Sequence, residues 1–412
     1  MRTLLLITLA LLSGHASGQH ADDAALLLAD GVAPTTTKTR AWRAQVEAGI
    51  VHADRPFSRS HHLSFDMQLD TTVAPSLRVA LANRLDLSRD SRTAELETVN
   101  TLKEAYASYA YSKDRIIDIG RINVRSGAAL GYNPTDFFRT KSLRAINSID
   151  PESLRSNRLG SVMLRGQAIS HRGSLTLLYS PKLANAPDSS AFDIDLGATN
   201  SVDRYLLLLS PQLAGASSST MLLYGEQGQA PTLGLNQTWV AGRSTVVYLE
   251  VASGKSVALL DRALGRHDDA SVRTKLAAGL RFTTQQKQTV SLEYDYSGVS
   301  LNRKQWDALR EGAPGDYLRY RQWVQAAQEL PTRQAWFVHA NWQDAGADHL
   351  DVSFMARRDI ADRSSLYWLE GRYHFRQSDL IVQAQHNAGD ARSTFGALPH
   401  ANIWTVKLLT FF

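Results

Sequence analysis

Between Gly120 and Arg144 the chain reads GRINVRSGAALGYNPTDFFRTKSLR, the stretch richest in groups able to act on a polar solute. On an extended segment every second side chain shares a face, so Arg121, Asn123 and Arg125 form a ladder of two guanidiniums and an amide. Glu104 and Tyr106, on the preceding LKEAYASYAY, face the same way, and Glu104 can pair with an arginine. Arg43 and Arg78 hold comparable polar positions on two earlier segments. Two uses fit this pattern. The groups can pair with one another to satisfy a polar interior, or they can line a passage that attracts anions or sugars.

The elements carrying these residues alternate with a period of two. In WRAQVEAGI, Trp42, Ala44, Val46, Ala48 and Ile50 oppose Arg43, Gln45, Glu47 and Gly49. The same holds for LSFDMQL, for LRVALANRLDL (broken only by Asn83), for VSLEYDY and for LDVSFMAR. One face of each suits hydrocarbon and the other suits water. The segments run to about 9–12 residues, the length of a tilted strand crossing a bilayer. Short links such as VAPS, SKDR, SHRG, AGRS and FRQSD take turns with long ones near 51–60, 88–100, 127–158, 181–202, 254–272, 298–332 and 388–401. Short turns on one side and long loops on the other are the pattern of a transmembrane barrel. The reading is an all-β fold: an antiparallel, up-and-down transmembrane β-barrel of about 18 strands, with 16 as the alternative, and with short helices in its long extracellular loops. The fifth strand is placed at 115–126, and the stretch 203–226 alternates worst.

Two loops carry further signals. Asn133, Pro134 and Asp136 fit helix N-cap, N1 and N3, which predicts a short helix there. The loop 127–158 opens on small residues and either folds into the mouth and constricts it or packs on the rim. The segment 303–330 predicts helix, a GAPGD break and helix. Trp306 and Leu309 share a face, as do Tyr317, Tyr320 and Trp323 or Val324. Such a hairpin either packs on the barrel mouth or presents its aromatics and arginines to a partner.

The N-terminus predicts the compartment. Met1–Thr3 and an apolar run from Leu4 to Leu12 lead to small residues at Ala16 and Gly18, a secretory signal over 1–18. A periplasmic segment over 19–39 and the barrel over 40–412 follow. The chain ends in WTVKLLTFF. In this it resembles outer-membrane proteins generally, and the resemblance implies that Phe412 is read by the barrel assembly machinery. The pattern of Arg121, Arg125, Asn133, Pro134 and Asp136 resembles the alginate-export and related large-porin families. That resemblance implies a monomeric barrel of about 18 strands with an arginine-rich lumen passing polyanionic sugar. The predicted lumen also holds Glu47, Asp66, Asp86, Glu293, Asp295, Asp351 and Glu370, a mixed lining.

Other classes fall away. There are 45 basic and 40 acidic residues spread along the chain, with no concentration that would suit nucleic acid, and no cysteine for disulfides or acylation. No nucleophile elbow, P-loop, HExxH or metal-spaced histidine set occurs. His61 and His62 fit a strand end at the rim rather than a metal site. His267, Asp268 and Asp269 fit a solvated loop, with a water-activating pair as the enzymatic alternative. The expectation is no enzyme, cofactor or metal, but a channel for polar or anionic solutes, saccharides among them, whose partners are a small polar solute or a polysaccharide and the surrounding outer-membrane lipid. The alternative is a non-conducting, surface-binding or structural barrel plugged by its own loops.

Overall fold

Segments that alternate in sequence become strands because pairing satisfies every backbone N–H and C=O where water is absent. The computed structural model describes residues 40–54, 57–91, 95–188, 190–213, 217–266 and 270–412. The expected signal and the expected segment to residue 39 lie outside the described residues, as do His267, Asp268 and Asp269. The first nine strands are β1 (Trp42–Ala53), β2 (Ser58–Ala74), β3 (Leu77–Asp90), β4 (Leu96–Ser112), β5 (Arg115–Ile122), β6 (Ser161–Ser170), β7 (Gly173–Ser180), β8 (Arg204–Pro211) and β9 (Ser217–Glu226). Then come β10 (Thr232–Ala241), β11 (Thr245–Ser256), β12 (Ser271–Thr283), β13 (Gln288–Ser297), β14 (Gln334–Trp342), β15 (Leu350–Asp359), β16 (Ser365–His374), β17 (Ser378–Ala388) and β18 (Asn402–Phe411). Each pairs antiparallel with its neighbours, and β18 closes on β1, so the sheet is an 18-stranded barrel rather than a 16-stranded one.

Closure holds the chain end. Phe411 lies opposite Gln45, and the Phe412 N–H donates to the Ala44 carbonyl at 2.9 Å. The outer surface is the apolar face of the alternation: Phe65, Ile119, Leu177, Leu292, Leu369 and Val406 are all exposed on the isolated chain. In a bilayer these side chains meet hydrocarbon. Asn83, the break in the β3 apolar row, donates to Asn100 of β4 at 2.8 Å, so each amide finds a partner on that face.

Strand lengths differ around the ring. β2 and β4 run to 17 residues each and β5 to 8. The long strands shorten the links after β1 and β3 to 54–57 and 91–95, less than expected. β5 stops at Ile122 instead of running to residue 126, and within it Gly120 adopts φ +133° while keeping its place opposite Tyr106 and Met163. A Cβ at Gly120 would meet the Ala105 carbonyl at 2.3 Å, so no other residue fits that position. Poor alternation in β8 and β9 also has a cause. Leu206 and Leu222 turn inward and pack with Ile122, Met163, Leu178 and Phe138, so these strands are apolar on both faces.

Five helices lie in the described loops: α1 (Pro151–Ser156), α2 (Leu196–Thr199), α3 (Leu259–Leu264), α4 (Arg303–Glu311) and α5 (Pro314–Ala327). The predicted hairpin is α4 and α5. Asn302 and Gln305 cap α4 reciprocally, and Trp306, Leu309, Tyr317, Tyr320 and Val324 are buried with Leu259, Val299 and Leu301. Of the two residues offered for the α5 face, Val324 is buried and Trp323 is exposed. No helix forms at Asn133. Its amide is turned back on the Ala129 carbonyl, and Asp136 is engaged by Arg158 at 2.6 Å, so neither side chain caps. The helix of this loop starts instead at Pro151, capped by Asp150.

Candidate functional site

Among the described residues, three clusters of polar side chains on the inner face are tied to the loop 123–160, which runs through the barrel. The first sits on β1–β4 and β18. Lys103 Nζ lies 2.5 Å from Asp66, Arg84 Nε 2.9 Å from Asp86, and Glu47 takes Arg84, His62 and Lys407 at 3.3, 3.2 and 3.6 Å. The loop docks here through Asn147, whose amide donates to Asp86 at 2.6 Å and whose carbonyl receives Lys407 at 2.7 Å. Three cations balance three carboxylates in this patch.

The second cluster is on the opposite wall. Glu250 of β11 accepts the Ala129 N–H at 2.7 Å, and Glu293 of β13 accepts those of Leu130 and Gly131 at 2.7 and 2.8 Å. Thr135 and Ser126 meet Asn236 at 2.7 and 2.9 Å. A run of small residues is what allows this approach: a Cβ at Gly127 would fall 2.2 Å from the Glu250 carboxylate. Arg155 of α1 closes the loop on itself by donating to the Gly127 carbonyl at 3.0 Å.

The third cluster joins the loop to the helical hairpin. Glu329, just beyond α5, accepts Arg139 at 2.8 Å, Lys275 of β12 at 2.5 Å and the Tyr132 hydroxyl at 2.5 Å. Burial alone would raise the Glu329 carboxyl, but Lys275 and Arg139, with the hydrogen bonds from Lys275 and Tyr132, hold it at about 2. Burial and the neighbouring Glu329 charge push the Tyr132 phenol well up. The Lys141 N–H donates to the Ala326 carbonyl at 2.8 Å, and Gln328 donates to the Arg139 carbonyl at 2.5 Å. Residues 132–142 and 326–329 thus form a partition across the extracellular half of the lumen.

Two cavities flank the partition. One, of about 1240 Å³, faces β1–β4 and β15–β18; the other, of about 580 Å³, faces β8–β12.

Arg43, Arg78, Glu104 and Tyr106 lie in register with inner-face residues: Arg43 opposite Gln68, Arg78 opposite Ser108, Glu104 opposite Ala82 and Tyr106 opposite Ala80. Arg78 pairs with Asp70 and Arg43 donates to Gln68 at 2.7 Å. The expected ladder does not form. The inner row of β5 is Asp118, Gly120 and Ile122, while Arg121 pairs opposite Ala105 and Val162, is buried, and donates to the Gly160 carbonyl at 3.1 Å instead of meeting Glu104. Asn123 donates to the Arg155 carbonyl at 3.0 Å and Arg125 is exposed. Asn133, Pro134 and Asp136 are buried in the infolded loop.

Glu250, Glu329 and Lys407 escaped the sequence reading as loop anchors, because their partners lie 121, 190 and 260 positions away. His62 touches Glu47 and His61 is exposed, and no group of histidine, cysteine and carboxylate side chains suited to a metal occurs among the described residues.

No family model and no curated protein sequence matches the chain. Solved structures do. OccK5 (OpdH) of Pseudomonas aeruginosa superposes with a TM-score of 0.54 at 9% identity, covering 90% of this chain and 96% of that one. OccK8 (OprE) of the same organism gives 0.52 at 10% identity, covering 90% and 97%. OccAB1 of Acinetobacter baumannii gives 0.52 at 10% identity, covering 90% and 96%. With its closed antiparallel wall and lipid-facing apolar belt, the chain has the fold of the porin-type outer-membrane β-barrels.

Proposed function

We propose that the protein is an outer-membrane channel for the passive passage of polar or anionic solutes, saccharides among them. The observation that carries this reading is the lumen itself. A closed wall with charged and amide side chains on its inner face surrounds an infolded loop that leaves two cavities, of about 1240 and 580 Å³, unfilled. A polar solute entering such a space exchanges part of its hydration for guanidinium, carboxylate and amide contacts. Arg43, Arg78, Glu104 and Tyr106 serve as lining groups, and Asn133, Pro134 and Asp136 belong to the constricting loop. Phe412 serves assembly, through the barrel assembly machinery. Export of an anionic polysaccharide is a narrower form of the same proposal, which the arginines favour and the many lumenal carboxylates oppose.

A second reading, a barrel plugged by its own loop, draws on the anchoring of that loop to both walls. Planar-bilayer recording of the purified protein separates the two. Discrete conductance steps are expected from the full chain, and larger ones after deletion of residues 127–158. No steps from either form would end the channel reading.

A further inference from the structure

The two cavities beside the partition differ in the sign of their charge. The smaller is lined by six basic side chains (Arg139, Lys141, Arg204, Arg262, Arg273 and Lys275) against three acidic ones (Asp136, Glu226 and Glu329). Of those acids, Asp136 is neutralised by Arg158 at 2.6 Å, outside the lining. Lys141 is exposed, and the guanidinium of Arg262 donates to the neutral Gln229 at 2.9 Å. The larger cavity has the opposite balance. It carries Asp86, Asp90, Glu95, Glu97 and Glu329 against Arg144, Arg321 and Arg357, with Asp86 neutralised by Arg84 at 2.9 Å, outside the lining.

Its cations are also committed elsewhere. Arg144 donates to the Asn100 and Asp193 carbonyls at 2.8 and 2.6 Å, and Arg321 to the Ser393 and Thr394 carbonyls at 2.9 and 3.2 Å. Arg357 stacks on Phe337. Glu95 and Glu97 stand exposed at the start of β4. The two linings share one charged residue, Glu329, which sits in the partition between them.

We infer that the extracellular mouth holds two separate inlets of opposite sign: an anion inlet against β8–β12 and a cation inlet against β1–β4 and β15–β18, divided by residues 132–142 and 326–329. The inference rests on the channel reading. A chamber lined by one sign concentrates the opposite ion, and its low-dielectric walls focus that field. Sorting by sign is therefore expected at the entrance, before any narrower point is reached.

Single-channel recording with a charged blocker on the extracellular side tests this. Saturating inositol hexakisphosphate is expected to close a fixed part of the unitary current and leave a remainder whose reversal potential in a KCl gradient moves toward potassium. Saturating spermine is expected to close the complementary part and move it toward chloride. Lys141→Glu combined with Arg262→Glu should weaken the hexakisphosphate block at least tenfold and leave the spermine block within twofold. Glu95→Lys combined with Glu97→Lys should do the reverse. Complete closure of a conducting channel by either blocker alone, or equal selectivity of the two residual currents, would overturn the two inlets while sparing the channel. A protein that gives no steps overturns both.

Discussion

Glu293, on the inner face of β13, accepts the backbone N–H groups of both Leu130 and Gly131, at 2.7 and 2.8 Å, from 163 and 162 positions away in the chain. Its first oxygen also takes the Tyr248 hydroxyl at 2.6 Å. One carboxylate therefore fixes how far the infolded loop reaches across the lumen. Glu293→Ala leaves three buried donors without an acceptor, each costing roughly 1–3 kcal/mol, so the loop should detach from that wall while the barrel stays closed. Larger and noisier unitary currents are expected, with Glu293→Gln intermediate because it keeps one acceptor oxygen. Identical currents in wild type and Glu293→Ala would mean that the anchor does not control the passage.

The partition should respond to acid through Glu329. Its carboxyl is held at about 2, below the ordinary 4.5, by Lys275 and Arg139 acting against the cost of burial. A carboxyl depressed in the folded state stabilises that state above its unfolded value, and the contribution fades as pH falls from about 4.5 toward 2. Across that window limited pepsin digestion should begin to cut within 132–142, with the barrel still intact by its migration in gels run without heating. Glu329→Gln should be cut at the upper end of the window as readily as the wild type is at the lower end. A variant as resistant as wild type at about pH 4.5 would remove Glu329 from the partition.

Much of the wall was legible in the sequence because a barrel strand obeys a local rule. Trp42, Val46 and Ile50 face out and Arg43 and Glu47 face in, as the period of two requires. The same rule misled at Arg121 because alternation gives two faces without saying which is inward, and Gly120, Ile122 and Val124 read as the apolar row. On β5 the inner row is Asp118, Gly120 and Ile122, while Arg121 shares the row of the exposed Ile117 and Ile119 and turns to the Gly160 carbonyl. The hairpin of α4 and α5 was legible too, since its caps and apolar spacing are local. The Asn133 cap was not realised, because its amide turns back on the Ala129 carbonyl and Arg158 takes Asp136, while Thr135 between them is held by Asn236 of the distant wall. Small residues at 126–131 signalled close approach, but nothing local could name Glu250 and Glu293 as what they approach.

Asp66 of β2 and Lys103 of β4 form a buried pair 2.5 Å apart across the intervening β3. Lys103→Met leaves Asp66 with only Arg84, at 4.0 Å, and a buried charge stripped of its close partner costs about 3–5 kcal/mol. The double change Asp66→Leu with Lys103→Met removes both charges and should recover most of that loss. Urea unfolding midpoints in lipid vesicles give the comparison. A double variant as unstable as the sum of the singles would show that the two charges act independently.

Trp306 tests whether the hairpin is a separate layer on the mouth. Its ring is fully buried among Tyr317, Tyr320 and Leu309, and its indole N–H donates to Asp362 at 3.0 Å. Trp306→Ala removes the largest side chain in that cluster, a change costing about 3–5 kcal/mol in a packed core. The cluster draws on loop residues and on the start of α3, whereas the barrel is held by strand pairing all round. The loss should therefore appear as local opening: faster trypsin cleavage at Arg310 or Arg319, with an unchanged urea midpoint for the barrel. A fall in that midpoint equal to the full local cost would show instead that hairpin and wall unfold as one unit, and that the mouth cannot open without the barrel.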